Sequence, residues 1–178
     1  REEAADAVRE LKEAGITKVV MMTGDSERTA AAIAKRVGVD EYYSEVLPED
    51  KASFVEKEKK LGHKVIMIGD GINDSLALSS ASVGIAISDG AAIAREIADV
   101  TISADNLHEI VTLKRLSTAL MKRIHNNYRT IIGVNGGLIA LGVTGVIMPT
   151  TSALLHNLST LTISLRSMRN LLPKEEEI

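Results

Sequence analysis

Two kinds of hydrophobic patterning divide this chain. Up to about residue 112, short apolar runs alternate with polar stretches of helical period. The runs at 19–22, 65–68, 83–87 and 100–102 are bounded by turn residues and predict buried strands. The stretches at 4–14, 26–37, 49–61, 74–81 and 91–98 predict amphipathic helices. Gly15, Gly38 and Gly62 follow three of these stretches and read as C-caps. Strands that alternate with helices in this way predict an α/β fold, a parallel sheet covered by helices.

From about Asn106 the material changes. Residues 107–128 form one long helical pattern carrying Lys114, Arg115, Lys122 and Arg123, with Arg129 just beyond. It runs without a strong breaker into residues 130–148, which hold no charge and one strongly polar side chain, Asn135. As a helix that run would span roughly 28 Å, close to a bilayer core. Its interior glycines suit close helix packing in a membrane. A short uncharged turn, 148–151, precedes a second apolar stretch, 152–165, that ends in Arg166 and Arg169. Positive charge flanks the pair and is missing from the turn, which predicts a hairpin with both ends cytoplasmic. The alternative is a buried helical hairpin within a soluble domain.

Composition narrows the function classes. The net charge of -3 and the 2% aromatic content exclude a basic, base-stacking nucleic-acid platform. Without cysteine there is no disulfide framework and no thiolate metal site within these residues. The charged helical opening predicts no signal peptide.

The chemistry gathers at strand ends. The run V-I-M-I-G-D-G-I-N-D, residues 65–74, closes a strand with Gly69, Asp70 and Gly71, then opens a helix with Asn73 and Asp74. Ligands in open α/β sheets bind at such carboxyl ends. Two carboxylates and an amide suit Mg²⁺, which prefers carboxylate and phosphate oxygens. Thr23, Gly24 and Asp25 end another strand, where a hydroxyl, backbone N–H groups and a helix start favour a phosphoryl group. Alone, Asp25 or Ser26 could be an N-cap. Lys51, in Pro48-Glu49-Asp50-Lys51, falls in the first turn of a helix, where the macrodipole disfavours a cation unless it faces an anion. Together these are the parts for phosphoryl transfer through an aspartyl-phosphate, short of the nucleophile.

These segments, T-G-D, P-E-D-K and G-D-G-I-N-D, resemble later motifs of the haloacid-dehalogenase-like fold, and more closely those of P-type ATPases. The opening R-E-E-A-A-D-A-V and the stretch at 88–102 are similar to the start and end of the second portion of their phosphorylation domain. Two apolar segments after that domain resemble the heavy-metal-transporting group. The resemblance implies a partial haloacid-dehalogenase-like sheet over 1–105, a stalk helix over 106–128, a transmembrane hairpin over 129–172 and a cytoplasmic tail over 173–178. It implies that Thr23 and Gly24 bind the phosphoryl group, Asp25 orients their loop, and Lys51 neutralises phosphoryl charge. It implies that Asp70 and Asp74 serve Mg²⁺ and that Asn73 organises the site. ATP would bind mainly through a domain outside these residues. No Asp-Lys-Thr-Gly-Thr-like nucleophile segment occurs, so the chain alone is expected to lack ATPase activity.

In the apolar half, Asn135, His156, Asn157, Ser159 and Thr160 are candidates for contact with a transported ion. His156 shares a helix face with Ser159 and Thr160, and intramembrane polar groups are functional candidates by default. The bland reading is interhelical hydrogen bonding. The segment is similar to a His-Glu-Gly-x-Thr pattern of one heavy-metal subgroup but has Asn157 and Leu158 in place of Glu and Gly. Imidazole and oxygen donors suit Zn²⁺, Co²⁺, Mn²⁺ or Fe²⁺ better than Cu⁺. The expected setting is a multi-pass protein of the plasma membrane, with 1–128 and 170–178 cytoplasmic and with the lipid bilayer and the remaining pump domains as partners. Two alternatives stay open: a soluble phosphatase of the same fold, and a non-catalytic membrane subunit docking on a full pump.

Overall fold

The computed structural model of the chain describes residues 3–70, 73–87, 96–102 and 107–171. The predicted helix at 91–98 and the tail at 173–178 therefore fall mostly or wholly outside the described residues, as does Gly71. Two compact units are present, Arg1–Thr112 and Leu113–Ile178.

The first unit runs α1 (Glu3–Glu13), β1 (Val20–Met22), α2 (Glu27–Val37), β2 (Glu41–Tyr43), α3 (Pro48–Lys60), β3 (Ile66–Gly69), α4 (Ser75–Ser80), β4 (Val83–Ile87) and β5 (Val100–Ile102). All strand pairs are parallel, as the alternation predicts. They form two sheets, β1-β2 and β3-β4-β5. The predicted caps Gly15, Gly38 and Gly62 all adopt positive φ, at 97°, 78° and 90°. Strand β2 has no apolar alternation and was not legible as a strand. Its three residues are exposed. It is held by its ladder to β1 and by Tyr42 and Ser44, whose hydroxyls donate to Glu27 at 2.8 and 2.6 Å. The Ser44 bond, then that of Tyr42, holds the Glu27 carboxyl below the usual range.

The core lies around β4, whose central Gly84, Ile85 and Ala86 are buried. Leu78 of α4 packs so close that a Cβ on Gly84 would stand 2.6 Å from the Leu78 carbonyl oxygen. Ala52 and Val55 of α3 meet Ala77 of α4, with Val65 and Met67 packed against them. This contact packs α3 and α4 together beside β3.

One carboxylate anchors the start of β1. Asp40 accepts Lys12 Nζ at 2.8 Å and the Val19 N–H at 2.8 Å, while Lys12 also donates to the Gly38 carbonyl at 3.0 Å. The end of α1, the cap of α2 and the entry to β1 are thus tied at one point.

The second unit is a helical hairpin. Helix α5 (His108–Val143) begins in the first unit, where Ile110 and Val111 are buried, and continues into the second; α6 (Pro149–Ser167) returns antiparallel to it. Asn127 Nδ2 donates to Ser167 Oγ at 2.6 Å, near one end of the pair. The single long helix matches the unbroken pattern through 128, but its end does not match the expected span. The apolar run at 130–148 leaves the helix at Val143, because Gly145 turns to φ 72° and Val146 N–H closes back on the Leu141 carbonyl. Helix α6 starts at Pro149, not Ser152, since proline at the first helical position already has helical φ. Among the described residues no helix is long and apolar enough to cross a membrane.

The Asp40 knot has a pH signature. Lys12, then the Val19 N–H, hold the Asp40 carboxyl below the usual range. Its contribution to stability is therefore complete above the ordinary aspartate pKa, about pH 4. It is lost as pH falls through the lowered folded value. Asp40→Asn should unfold more readily than the parent at neutral pH, and the gap should narrow below about pH 4. Urea unfolding followed by circular dichroism across that range checks this; a gap independent of pH would refute it.

Candidate active site

Three segments deliver the polar groups. At the end of β1, Thr23 continues the ladder by donating its N–H to the Tyr43 carbonyl at 3.0 Å. Its hydroxyl accepts the Asp25 N–H at 3.1 Å and donates to the Asp25 carboxylate at 2.9 Å. The Thr23-Gly24-Asp25 turn is thus closed on itself. Ser26 stands at the N-cap of α2 but makes no side-chain capping bond there. The first N–H groups of that helix are left without a side-chain cap.

Lys51 lies in the first turn of α3. Pro48 opens that helix at a position where no N–H is needed. The Asp50 carboxylate accepts the Leu47 N–H at 3.2 Å and fixes the entry. Lys51 Nζ then reaches Asp74 Oδ1 at 2.7 Å, with side chains only 14% and 11% exposed. A cation disfavoured by its own helix dipole is held in place by a carboxylate from another segment.

Asp74 is the N-cap of α4, where an aspartate usually accepts a backbone N–H of the first turn. Here it makes no such bond. Its carboxylate is turned instead to Lys51. The close partner on the other side is Gly69: a Cβ there would stand 2.6 Å from Asp74 Cβ. The glycine at the end of β3 leaves room for the Asp74 side chain. The neighbour of this glycine is a protein carboxylate. The visible signal was an apolar strand ending in glycine five residues before an N-cap aspartate.

Asp70 is exposed just past β3, and its Oδ1 accepts the Asn73 N–H at 3.2 Å. The structure therefore joins Lys51 to Asp74, Asp70 to Asn73, and Thr23 to Asp25. Thr23 stands at the end of β1 and Asp70 just beyond β3, strands of two different sheets.

In the hairpin, His156 Nδ1 lies 2.8 Å from Asn135 Oδ1. The hydroxyls of Ser159 and Thr160 donate to the His156 carbonyl at 2.8 and 3.1 Å, so both turn back onto their own helix. Asn157 is exposed. Asn135 and His156 line a groove of about 580 Å³ with Leu138, Ile139 and Ser152. Among the described residues no three His, Cys, Asp or Glu side chains cluster as a metal site.

The profile of the haloacid dehalogenase-like hydrolase family matches residues 1–82. A zinc-exporting P-type ATPase of Mycobacterium marinum is 38% identical over 170 residues, covering 95% of this chain and 23% of that protein. A probable copper-importing P-type ATPase A of Enterococcus hirae is 48% identical over 129 residues, 71% of this chain and 18% of that one. The crystal structure of a zinc-transporting PIB-type ATPase in the E2.Pi state superposes with a TM-score of 0.87 at 33% identity, over 97% of this chain and 28% of the other. The chain belongs to the heavy-metal P-type ATPase family. It spans about a quarter of the length of the curated relatives it matches. Family membership accounts for a haloacid-dehalogenase-like α/β unit and a helical hairpin occurring together, since the superposition covers both.

The ion pair is testable without activity. Lys51→Met leaves a nearly buried carboxylate unpaired and should cost about 3 kcal/mol, whereas Lys51→Met with Asp74→Leu should cost less than the two single changes combined. Urea denaturation of the four proteins should give a coupling of at least about 1 kcal/mol; additivity within about 0.5 kcal/mol would show that the pair is not formed.

Proposed function

We propose that this chain is part of an ATP-driven heavy-metal cation exporter that works through an aspartyl-phosphate. The observation that carries the reading is the Lys51–Asp74 pair beside the end of β3, next to Asp70, in a chain of this family.

Each group then has a task. Lys51, steadied by Asp74, presents its ammonium to phosphoryl oxygens and offsets their charge. Thr23 offers its hydroxyl and Gly24 its N–H to the same group. Asp25 holds the Thr23 proton until a phosphoryl oxygen competes for it. Asp70 is exposed at a strand end, a carboxylate of the kind that suits Mg²⁺. Mg²⁺, when bound, supplies charge neutralisation on the phosphoryl oxygens. Asp74 has one oxygen on Lys51 and its side chain against Gly69, which favours a role in placing Lys51 over direct metal ligation. The aspartate that takes the phosphoryl group, and most of the ATP site, belong to further parts of the pump.

The hairpin is its membrane portion in this reading. Large apolar side chains stand exposed along both helices, among them Ile132, Ile139, Val143, Leu154, Leu158 and Leu161. The turn at 144–148 is also uncharged and extends the apolar length beyond the end of α5. The charge pattern supports a reading with both ends at the cytoplasmic face of the plasma membrane. His156 and Asn135 are the cargo contacts, and an imidazole with neutral oxygens favours Zn²⁺, Co²⁺, Mn²⁺ or Fe²⁺.

Phosphoenzyme formation from labelled ATP in the longer protein containing this chain tests the reading, across Zn²⁺, Co²⁺, Mn²⁺, Fe²⁺ and Cu⁺. The expected result is an acid-stable phosphoenzyme that depends on one divalent ion. Asp70→Ala should lower its formation or turnover by at least about a hundredfold. His156→Ala should weaken the ion dependence and leave phosphorylation by inorganic phosphate intact. A folded protein that forms no phosphoenzyme with any ion would overturn the pump and favour a phosphatase.

A further inference from the structure

The base of the hairpin carries a groove lined by basic side chains. A cavity of about 370 Å³ lies between α5 and the end of α6, lined by Lys122, Arg123, Asn126, Arg166 and Arg169. From residue 110 to residue 174 the chain has no aspartate or glutamate. Nothing within that stretch balances these cations, and none of Lys122, Arg166 and Arg169 makes an ion pair or a side-chain hydrogen bond among the described residues.

Arg123 acts differently. It donates to the carbonyls of Ser167 at 3.0 Å and Asn170 at 2.9 Å, and also to that of Arg169. It therefore caps the end of α6, where exposed carbonyls and the helix dipole would otherwise repel an anion. With that negative end covered, the exposed Lys122, Arg166 and Arg169 line the groove with no acidic partner among the described residues. Tyr128 stands 64% exposed one turn further along α5, and beyond it come the exposed Ile131 and Ile132. A cationic pocket, an aromatic and then an apolar shaft is the order of layers met on entering a bilayer from the cytoplasm.

We propose that this groove binds the phosphate of an anionic phospholipid, whose acyl chains lie along the apolar shaft. The inference rests on the bilayer reading of the hairpin. A phosphate held by two arginines and a lysine gains charge-assisted hydrogen bonds that a neutral headgroup cannot match.

The test uses the full chain with vesicles of phosphatidylcholine, alone or mixed with phosphatidylglycerol. Flotation with neutral vesicles reports insertion by itself. The mixed vesicles should bind at least about tenfold more tightly, and native mass spectrometry should show one phosphatidylglycerol retained. Arg166→Gln with Arg169→Gln should remove that preference and the retained lipid but still float with neutral vesicles. Lys114→Gln with Arg129→Gln removes equal charge outside the groove and should keep the retained lipid. Equal loss in both pairs would mean diffuse attraction and overturn the site. Displacement of the lipid by inorganic phosphate at equal concentration would assign the groove to free anions instead. Failure to float with any vesicle would remove the bilayer reading and this proposal with it. Flotation with no gain from phosphatidylglycerol would remove the proposal alone.

Discussion

The geometry of the α/β unit turns on one ion pair, Lys51 with Asp74 at 2.7 Å. Both partners are costly where they stand. Lys51 opposes the dipole of α3, and Asp74 gives up the capping bond that its position at the head of α4 would allow. Each is tolerable because the other is there. The pairing also requires Gly69, since any side chain at that point would collide with Asp74. Lys51 and Asp74, 23 residues apart in sequence, are thereby joined near the end of one strand. Ala52 and Val55 of α3 and Ala77 of α4 share one buried apolar cluster, which ties together the helix that carries Lys51 and the helix that Asp74 opens.

This arrangement sets a buried carboxylate apart from an exposed one. Asp74 is buried and committed to Lys51, while Asp70 is exposed and bonded through one oxygen to the Asn73 N–H. Two carboxylates four residues apart thus meet opposite environments, set by which side of a single turn they leave. The same division recurs in the hairpin. Arg123 is spent on the end of α6, while Arg166 and Arg169 remain exposed. In both units a buried or half-buried charge fixes the frame while a neighbouring charge stays exposed.

Much of this was legible in the residues. Strands β1, β3, β4 and β5, and the glycines that end three helices, follow directly from apolar runs and breakers. The partnership of Lys51 was half legible: its odd place on a dipole signalled a nearby anion, but not that the anion belongs to the protein. Strand β2 was hidden because an exposed Glu-Tyr-Tyr is held by backbone bonds and by its neighbours on α2, which leave no period in the sequence. The end of α5 was missed because hydropathy continues to Met148 while the backbone turns at Gly145. Ser159 and Thr160 looked like ligands by spacing, yet the same spacing lets each bond the carbonyl of His156 on its own helix.

The division of the strands into two sheets has a consequence for how the chain behaves at high concentration. Strands β1 and β3 each have a single partner among the described residues, and neither is fully buried. Each leaves one row of amide and carbonyl groups with no strand partner among the described residues. Crowding then favours strand addition, by another segment or by a second molecule, as the way to satisfy them. Self-association of this chain is therefore expected to start at the ladder edges as well as on the greasy hairpin, and detergent, which masks only the latter, would leave the first route open.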